Sequence, residues 1–587
     1  MKPGIATNQA DEVGRTKTPE RGLPLMMIMA IAVGVVAGFG AWGFRMLIGF
    51  VHNVLFLGQL VFSYDANVYT PASPWGVGVV LVPVVGALVV AWLVKNFAPE
   101  AKGHGVPEVM DAIYYNQGRI RPRVAVVKSL ASAISIGSGG SVGREGPIVQ
   151  IGSAFGSTLG SLIAMRTSDR ATLIAAGAGA GIAATFNAPL GGIVFALELL
   201  LVSINARNLL LVTMATVVAT RISHLLLGTD PSFYVPALER PDFQLMQSWG
   251  LAVFLVLGAL MGLLSVAFIR GLYWMEDLFE AMPGNYYTRH ALGMLCVGVM
   301  MFLLMRHAGH YYVEGVGYAT IMEILQGSLT SPWFLLLLAA LKLLATCLSL
   351  GSGASGGVFS PALFMGAAGG AAFGYLCQAL MPGLDIAVPT FAIAGMAAAV
   401  GGSTGAVLTG TIMLSEMTRD YSIMLPLVIT CSVAYAVRKW IMDDSIYTMK
   451  LRARGHSVPQ GLHASVLTSQ RIQDLRTTDF AVVPEGGDVP TGATIIVHSE
   501  DAAISAVTRQ PDAEPGLTAV GSAARSLRYV VVGEQATLLA AAGALWEAEA
   551  ELILVSRDPD SRRAKDLVGV VTLAALAHVF KADEDLS

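Results

Sequence analysis

The sequence predicts an all-α protein that crosses a membrane many times and carries a smaller α/β domain at its C-terminal end. Hydrophobic residues make up 54% of its 587 residues and charged residues only 13%, against about 25% in ordinary globular domains. Several uncharged runs, such as 23–44 and 243–269, reach the roughly 20 residues that a helix needs to cross a bilayer. The apolar part also contains an internal repeat, which predicts two related halves of tilted, broken helices.

Charge density predicts the domain boundaries. Charged side chains are sparse up to about residue 450 and much denser beyond it. The N-terminal segment mixes both signs of charge with Pro and Gly and lacks the pattern of a signal peptide. We therefore predict a multi-pass protein of the cell (plasma or inner) membrane, surrounded by lipid and with both termini cytosolic. Its parts are a tail at 1–22, a transmembrane domain at 23–455 with halves at about 23–228 and 243–455, and a cytosolic domain at 461–587.

Two stretches of the membrane part align with each other without gaps, residues 137–156 with residues 351–370. Lys128 and Lys342 precede these stretches at the same offset of 214 positions. A further match pairs Glu198 with Glu416 at an offset of 218. Duplicated membrane halves are commonly inverted repeats with the substrate site where the halves meet, and we expect an inverted repeat here.

Both repeated stretches contain a turn rich in Gly and Ser, followed by proline and an apolar run. Proline is favoured in the first turn of a helix, because the amide that it lacks would have no partner there. Non-helical backbone inside a membrane is tolerated where it is buried or lines a cavity, and the free amides of a helix start attract anions. The pattern predicts anion-binding helix starts marked by Pro107, Pro147 and Pro361, with a fourth candidate at 186–192.

Glu145 stands directly before one of these helix starts. A carboxylate inside a membrane is costly and is expected to be functional, so we predict that Glu145 occupies the anion site as a substitute anion and gates the pathway. The alternative is an ordinary pair with the neighbouring Arg144. The four cysteines have neither metal nor disulfide spacing, and no catalytic arrangement is present, so we expect no metal, no cofactor and no enzymatic activity.

These residues resemble the CLC family of chloride channels and transporters. The three signature stretches of that family correspond to GHGVP at 103–107, GREGP at 143–147 and GVFSP at 357–361, and DSIY at 444–447 matches the segment with the pore tyrosine. The resemblance covers about residues 23–451 and implies a homodimer with one pore in each subunit and Glu145 as the gate. It also implies that chloride or a similar anion is bound by His104, Gly105, Val106, Gly143, Arg144, Gly146, Val358, Phe359 and Tyr447.

One departure from the family pattern is His104, where the first signature usually has serine. A histidine is able to donate through one ring nitrogen, or to attract an anion once it is protonated, which predicts a response to pH near about 6.5. The alternative is that the ring points away and that only the backbone coordinates the anion.

A second departure is Leu199, where proton-coupled members usually carry a glutamate. Leucine cannot relay a proton, and the adjacent Glu198 is displaced by about 100° around a helix. The sequence therefore favours a passive chloride channel or uniporter, and a chloride/proton antiporter with a non-standard proton route is the alternative.

The remaining buried charges are expected to be structural. Glu198 and Glu416 are predicted to be acids at helix ends that support neighbouring turns or the subunit interface. Lys342 is predicted to extend its ammonium group to the membrane interface. Lys128 is able either to do the same or to make the pore more positive.

The C-terminal region has the pattern of short strands and amphipathic helices. Its order of strand, helix, strand, strand and helix resembles a CBS module, of which the family often carries a cytosolic pair. We expect a role in dimerisation, and binding of an adenine nucleotide is left open because no ribose-binding acidic motif is present. The excess of acidic residues argues against nucleic acid. The predicted elements are 528–533, 537–550, 551–556, 567–572 and 573–580, with a degenerate first copy around 478–518.

Overall fold

The computed structural model describes residues 21–163, 165–201, 204–235, 248–381, 387–456, 458, 471–478, 480–484, 495–500, 503–509, 525–558, 563–573 and 575–576. These residues form two compact units. One unit comprises residues up to 113 together with 118–454, and the other comprises 114–117 and the residues from 455 onward.

The first half of the helical unit consists of long apolar helices interrupted by short ones. Proline occupies one of the first two positions of several of them, as the rule for helix starts predicts. Its helices are α1 (Leu23–His52), α2 (Val82–Phe97), α3 (Val106–Tyr114), α4 (Pro122–Gly137), α5 (Glu145–Leu162), α6 (Thr167–Phe186), α7 (Pro189–Leu199) and α8 (Ala206–Leu227).

The second half begins after the undescribed residues 236–247 and has the same mixture of long and short helices. Side-chain caps define several starts: Ser331 accepts a hydrogen bond from the amide of Phe334 at the start of α12. The helices are α9 (Ser248–Ala281), α10 (Tyr286–Ala308), α11 (Tyr318–Leu325), α12 (Pro332–Ser352), α13 (Phe359–Leu380), α14 (Val388–Thr404), α15 (Val407–Thr418), α16 (Met424–Ile441) and α17 (Thr448–Ala453).

Eight helices among the described residues are long and apolar enough to cross a membrane. Shorter turns connect some of them: a π-helical turn at Asn53–Leu57 and 3-10 turns at Gly76–Leu81 and Pro99–Ala101. The uncharged run at 386–415 does not form one span, because α14 ends at Gly405 with a φ of 84° and α15 begins two residues later.

Glycine pairs let equivalent helices of the two halves approach closely. A Cβ atom on Gly152 of α5 would lie 2.1 Å from the carbonyl oxygen of Gly177 in α6. In the second half, a Cβ atom on Gly366 of α13 would lie 2.3 Å from the carbonyl oxygen of Gly395 in α14. The two pairs have the offsets of 214 and 218 that align the repeats. Helix packing in membranes favours small residues for this reason, and the high glycine content follows from it.

The short helices α7 and α15 run antiparallel and cap each other. Near the end of α7, the carboxylate of Glu198 accepts hydrogen bonds from the second and third amides of α15, at 3.1 and 2.8 Å. Near the end of α15, the carboxylate of Glu416 accepts from the amides of Leu190 and Gly191, the second and third residues of α7, at 3.1 and 2.6 Å. Equivalent helices of opposite direction are what an inverted repeat requires. The prediction that both acids are structural is confirmed.

The C-terminal unit contains two small sheets with the same pairing order. The strands predicted at 528–533, 551–556 and 567–572 and the helix predicted at 537–550 are present in the structure. The predicted helix at 573–580 lies partly outside the described residues. In both sheets the first strand is parallel to the second, which is antiparallel to the third. The first sheet consists of β1 (Phe480–Pro484), β2 (Ile495–Glu500), β3 (Ala503–Arg509) and β4 (Arg525–Ser526). The second sheet consists of β5 (Tyr529–Gly533), β6 (Leu552–Ser556) and β7 (Leu567–Thr572). The other elements of the unit are α18 (Ile472–Leu475), α19 (Leu538–Glu547) and a 3-10 turn at Ala564–Asp566.

Strand β6 carries the core of this unit on both of its faces. Ile553 and Val555 pack with α19, whereas Leu552 and Leu554 pack with residues of the first sheet. Successive side chains of a strand point to opposite faces, so the uninterrupted apolar run of β6 is explained by burial on both sides. The unit is consistent with the expected CBS-like architecture.

Candidate functional site

Three turns that precede helices α3, α5 and α13 meet in the interior of the helical unit. The amide of Gly103 donates to the carbonyl oxygen of Ala354 at 3.0 Å, and the amide of Gly356 donates to Gly103 at 3.3 Å. Gly143 in turn pairs with Gly357. The three signature stretches are therefore joined by backbone hydrogen bonds into one continuous structure.

The three helices begin where their prolines predict. Pro107 is the second residue of α3, and Pro147 and Pro361 are the third residues of α5 and α13. The fourth candidate also starts a helix, since α7 begins at Pro189, but its first amides are occupied by Glu416. This fourth helix start is therefore bound by a carboxylate of the protein itself.

The glycines of the signatures allow these turns to touch. A Cβ atom on Gly105 would lie 2.7 Å from the carbonyl oxygen of Gly146. Val106 begins α3 and Val358 directly precedes α13, and both are buried. Phe359 is buried with its ring centroid 5.7 Å from that of Phe186. The structure thus gathers the predicted anion-binding residues of the three turns, while the role of each in binding remains a prediction.

The carboxylate of Glu145 lies at the N-terminal end of α13. The amide of Ser360 donates to its Oε2 at 3.3 Å, and the Ser360 hydroxyl donates to its Oε1. The hydroxyl of Tyr318 donates to the same Oε1 at 2.9 Å. Glu145 is only 2% exposed, so a negative charge from α5 fills a helix start that is suited to an anion.

The alternative partner of Glu145 is bound elsewhere. The guanidinium group of Arg144 lies over the ring of Tyr318, 5.1 Å from its centroid, and donates to the carbonyl oxygen of Thr185 at 3.4 Å. Among the described residues, no ion pair joins Arg144 to Glu145. The geometry therefore favours a carboxylate held by one helix amide and two hydroxyl groups over an ion pair between Glu145 and Arg144.

Tyr318 was missed by sequence reasoning, although a signal for it exists. The sequence GVGY at 315–318 parallels GHGV at 103–106 at an offset of 212. Tyr318 begins α11 as Val106 begins α3. The internal repeat thus extends to a further pair of turns, and the second copy of the first signature supplies a donor to Glu145.

Both repeat-related lysines hold these equivalent turns in place. Lys128 donates to the carbonyl oxygens of Ala101, at 3.0 Å, and Gly103. Lys342 donates to those of Val313 and Gly315, at 3.0 and 2.8 Å. Both side chains are 0% exposed. The prediction that Lys342 reaches the interface is wrong, because its side chain is fully buried and its ammonium group donates to two carbonyl groups inside the protein.

His104 and Tyr447 lie next to each other on the side of the first signature. Their ring centroids are 6.1 Å apart, both residues are buried, and Tyr447 is within electrostatic range of Glu145. Nε2 of His104 lies 3.3 Å from the hydroxyl of Tyr273. The ring is therefore part of a buried polar cluster with the expected pore tyrosine nearby.

Leu199 is the last residue of α7, and the adjacent acid is not available in its place. The carboxylate of Glu198 accepts from two amides and from the hydroxyl of Thr409 at 2.8 Å. These three hydrogen bonds hold the carboxylate at the start of α15. Among the described residues, no group of side chains suited to a metal ion is found.

Comparison with known proteins agrees with this geometry. The model of the family described as "Voltage gated chloride channel" matches residues 86–439. The H(+)/Cl(-) exchange transporter ClcA of Vibrio parahaemolyticus is 34% identical over 461 residues, which cover 76% of this chain and 92% of that protein. The protein of the same name from Yersinia pseudotuberculosis is 32% identical over 471 residues, covering 78% and 92%.

Solved structures extend the comparison to the fold. A slow cyanobacterial Cl-/H+ antiporter has a TM-score of 0.64 and 26% identity, covering 74% of this chain and 99% of its own. A eukaryotic CLC transporter has a TM-score of 0.62 and 19% identity, covering 94% of this chain and 98% of its own. The second likeness concerns the fold alone, and it includes most of the C-terminal unit.

Proposed function

This chain belongs to the voltage gated chloride channel (CLC) family of membrane proteins, and on that premise we propose that it carries chloride across a cell membrane in exchange for protons. The observation that supports the proposal is the position of the Glu145 carboxylate at the start of α13, where it accepts a hydrogen bond from the amide of Ser360. In this role Glu145 is both the substitute anion and the group that accepts a proton. When chloride displaces the carboxylate, or a proton neutralises it, the helix start becomes free for an anion.

Anion binding is proposed to use the residues of the three joined turns. The backbone of Gly105, Gly146 and Phe359 supplies amides, and Tyr447 supplies a hydroxyl. Dipoles of helix starts attract an anion without the strong attraction of a full cation. Arg144 contributes positive potential beside Glu145 rather than a direct pair.

Proton exchange is favoured by the similarity to the two ClcA proteins and to the cyanobacterial structure, which are named as H(+)/Cl(-) exchange transporters and as a Cl-/H+ antiporter. Leu199 supports a second candidate, a passive channel or uniporter, because it cannot relay protons. Glu198 offers no substitute, since three donors hold its carboxylate. Exchange in this chain therefore requires a proton route that bypasses Leu199.

The assembly proposed is a homodimer with one pore in each subunit and both termini in the cytosol. The C-terminal unit is proposed to be a pair of CBS-like copies that support dimerisation. Its two sheets have the same pairing order, which agrees with a duplicated module. An adenine nucleotide is not assigned to it, and we propose no enzymatic activity.

The test is chloride efflux from proteoliposomes with external pH recorded at the same time. An exchanger takes up protons as chloride leaves, so the external medium becomes alkaline, and an imposed chloride gradient drives protons uphill. Chloride efflux without a pH change would establish the passive candidate. A protein that moves no chloride in this assay would overturn both. Glu145→Gln is expected to retain chloride efflux and to lose proton movement.

A further inference from the structure

One nitrogen of His104 is buried without a partner. The residue is 3% exposed, and Nδ1 makes no hydrogen bond to the described residues. Buried polar atoms are nearly always hydrogen-bonded, and each exception requires an explanation. The nitrogen lies in the first signature, in the turn joined to the start of α13.

The other ring nitrogen is bound in a way that determines the tautomer. The hydroxyl oxygen of Tyr273 lies 2.7 Å from the carbonyl oxygen of Ile446 and 3.3 Å from Nε2 of His104. A tyrosine hydroxyl has one hydrogen, and the short contact has the usual length of an O–H···O bond. The hydroxyl therefore donates to Ile446, and its oxygen accepts a hydrogen from Nε2.

This arrangement leaves the neutral ring unable to bind an anion. With its hydrogen on Nε2, neutral His104 has only a lone pair on Nδ1, and a lone pair repels an anion. Nδ1 becomes a donor only when the ring gains a second proton. An anion is therefore bound through this nitrogen by the imidazolium form alone.

The surrounding charges link that proton to the anion. Lys128, Lys450 and Arg454 are the cations near the ring. The carboxylate of Glu108 lies 3.7 Å from Lys450 and also pairs with Arg454. Protonation of His104 adds one more positive charge to this region, and an anion bound beside the ring offsets that charge. The titratable groups around His104, besides Tyr273, are Lys128, Lys450, Arg454, Glu108, Glu276 and Tyr447.

We propose that His104 is a proton-binding anion ligand, which takes up a proton as chloride binds beside its Nδ1. The inference rests on the proposed function, because it assumes that chloride enters the three joined turns. It makes chloride affinity rise as pH falls, by up to about tenfold per pH unit, since one proton is bound with each anion. This dependence of chloride affinity on pH is separate from any dependence that arises from protonation of Glu145.

Tyr273 supplies a prediction that a merely structural histidine would not share. In Tyr273→Phe the oxygen that accepts from Nε2 is gone, so the neutral ring is free to carry its hydrogen on Nδ1. That tautomer donates to an anion without a second proton. The variant should bind chloride with less proton uptake and with a flatter dependence on pH.

The experiment is isothermal titration of potassium chloride into the detergent-solubilised protein, in buffers of equal pH and different ionisation enthalpy. The change of the observed enthalpy with buffer enthalpy gives the number of protons taken up per chloride. All proteins carry Glu145→Gln, which removes the carboxylate that would itself take up a proton. Measurements at several values between about pH 5 and 8 cover the range in which histidine changes charge.

The parent should take up between zero and one proton per chloride, rising as the pH increases through this range. His104→Ser should bind chloride without proton uptake, and Tyr273→Phe should fall between the two. His307→Ser, at an exposed position of α10, is the control and should match the parent. Equal proton uptake in the parent and in His104→Ser, or chloride binding without uptake in the parent, would overturn the inference.

Failure of the proposed chloride transport would give different results from failure of the inference about His104. If neither the parent nor any variant binds chloride and proteoliposomes of the unsubstituted protein move none, the proposed function fails. If chloride binds and is transported without proton uptake at His104, only this inference fails. Size-exclusion profiles of each variant exclude misfolding as the cause of lost binding.

Discussion

Gly143 and Gly357 exchange both of their backbone hydrogen bonds: the amide of Gly143 donates to the carbonyl oxygen of Gly357 at 2.8 Å, and the reverse bond is 2.6 Å. The two glycines are separated by the repeat offset of 214 positions. A mutual pair of equivalent residues in antiparallel orientation is what a two-fold axis between them produces. Together with the mutual caps of α7 and α15, this pair indicates that the halves are related by such an axis, close to Glu145.

Gly143→Ala should displace the Glu145 carboxylate. A Cβ atom at Gly143 would lie 2.1 Å from Oε2 of Glu145 and 3.2 Å from the amide of Ser360. The carboxylate would lose a charge-assisted hydrogen bond, which is worth about 1.5–3 kcal/mol. We expect chloride efflux at neutral pH to rise roughly tenfold or more, measured in proteoliposomes.

Gly43→Ala is the matched control for that change. Gly43 lies within α1, and nothing is found within 4 Å of a Cβ atom built there. Its efflux should equal that of the parent, and the helix should gain about 0.5–1 kcal/mol of stability. Unchanged efflux in Gly143→Ala would show that the carboxylate does not limit transport.

Tyr318→Phe should weaken the closed position of Glu145 without moving the backbone. The substitution removes a donor that lies 2.9 Å from Oε1, and a hydrogen bond to a charged group contributes about 1.5–3 kcal/mol. Efflux should increase, and the increase should disappear in the Glu145→Gln background. Tyr312→Phe is the comparison, since its hydroxyl donates to Ala308 at 3.3 Å; an increase of the same size there would contradict the role of Tyr318.

Glu416→Ala and Glu198→Ala should each destabilise the helical unit. Either change leaves two helix amides without their carboxylate, at a cost of about 1–3 kcal/mol. The measurement is the temperature at which the detergent-solubilised protein loses its monodisperse size-exclusion peak. Glu280→Ala should stay within about 0.5 kcal/mol of the parent, because Glu280 is 63% exposed in its pair with Lys102. Equal effects in all three variants would contradict the capping role.

Lys342→Met and Lys128→Met should lower the same transition temperature. Lys342→Met removes the donor to the buried carbonyl groups of Val313 and Gly315, and each such group costs about 1–3 kcal/mol. Lys128→Met should have the smaller effect, because the carbonyl groups of Ala101 and Gly103 keep donors from Ser355 and Gly356. Arginine at either position should fail to restore stability, because the larger guanidinium group does not fit a fully buried site. Lys95→Met, on the exposed face of α2, is the control. Full recovery with arginine would mean that positive charge, and not this geometry, is what matters.

The helix starts were predictable from local rules. Proline and glycine act on their own backbone, so Pro107, Pro147 and Pro361 mark the first turns of their helices in the sequence as in the structure. The same locality explains the antiparallel strands β6 and β7, which are neighbours in the chain. Repeat matching also paired Glu198 with Glu416, and both acids lie near helix ends as predicted.

The partners of Glu145 and His104 were not predictable in this way. Tyr318 is 173 positions from Glu145, and Tyr273 is 169 positions from His104, so only the tertiary fold brings them together. Hydropathy placed Lys342 in an apolar segment without indicating which carbonyl groups it would meet. The first sheet of the C-terminal unit was hard to predict for a related reason, because its strands are identified by their pairing with one another and not by a strong local pattern.

The attachment of Glu145 to α5 affects which anions are able to compete with it. A ligand held by a short flexible connection acts as if its concentration were about millimolar, whatever the surrounding solution contains. An anion of similar intrinsic affinity for the start of α13 must reach comparable concentrations to displace the carboxylate. Transport should therefore decline in proportion to the chloride concentration once chloride falls below this range.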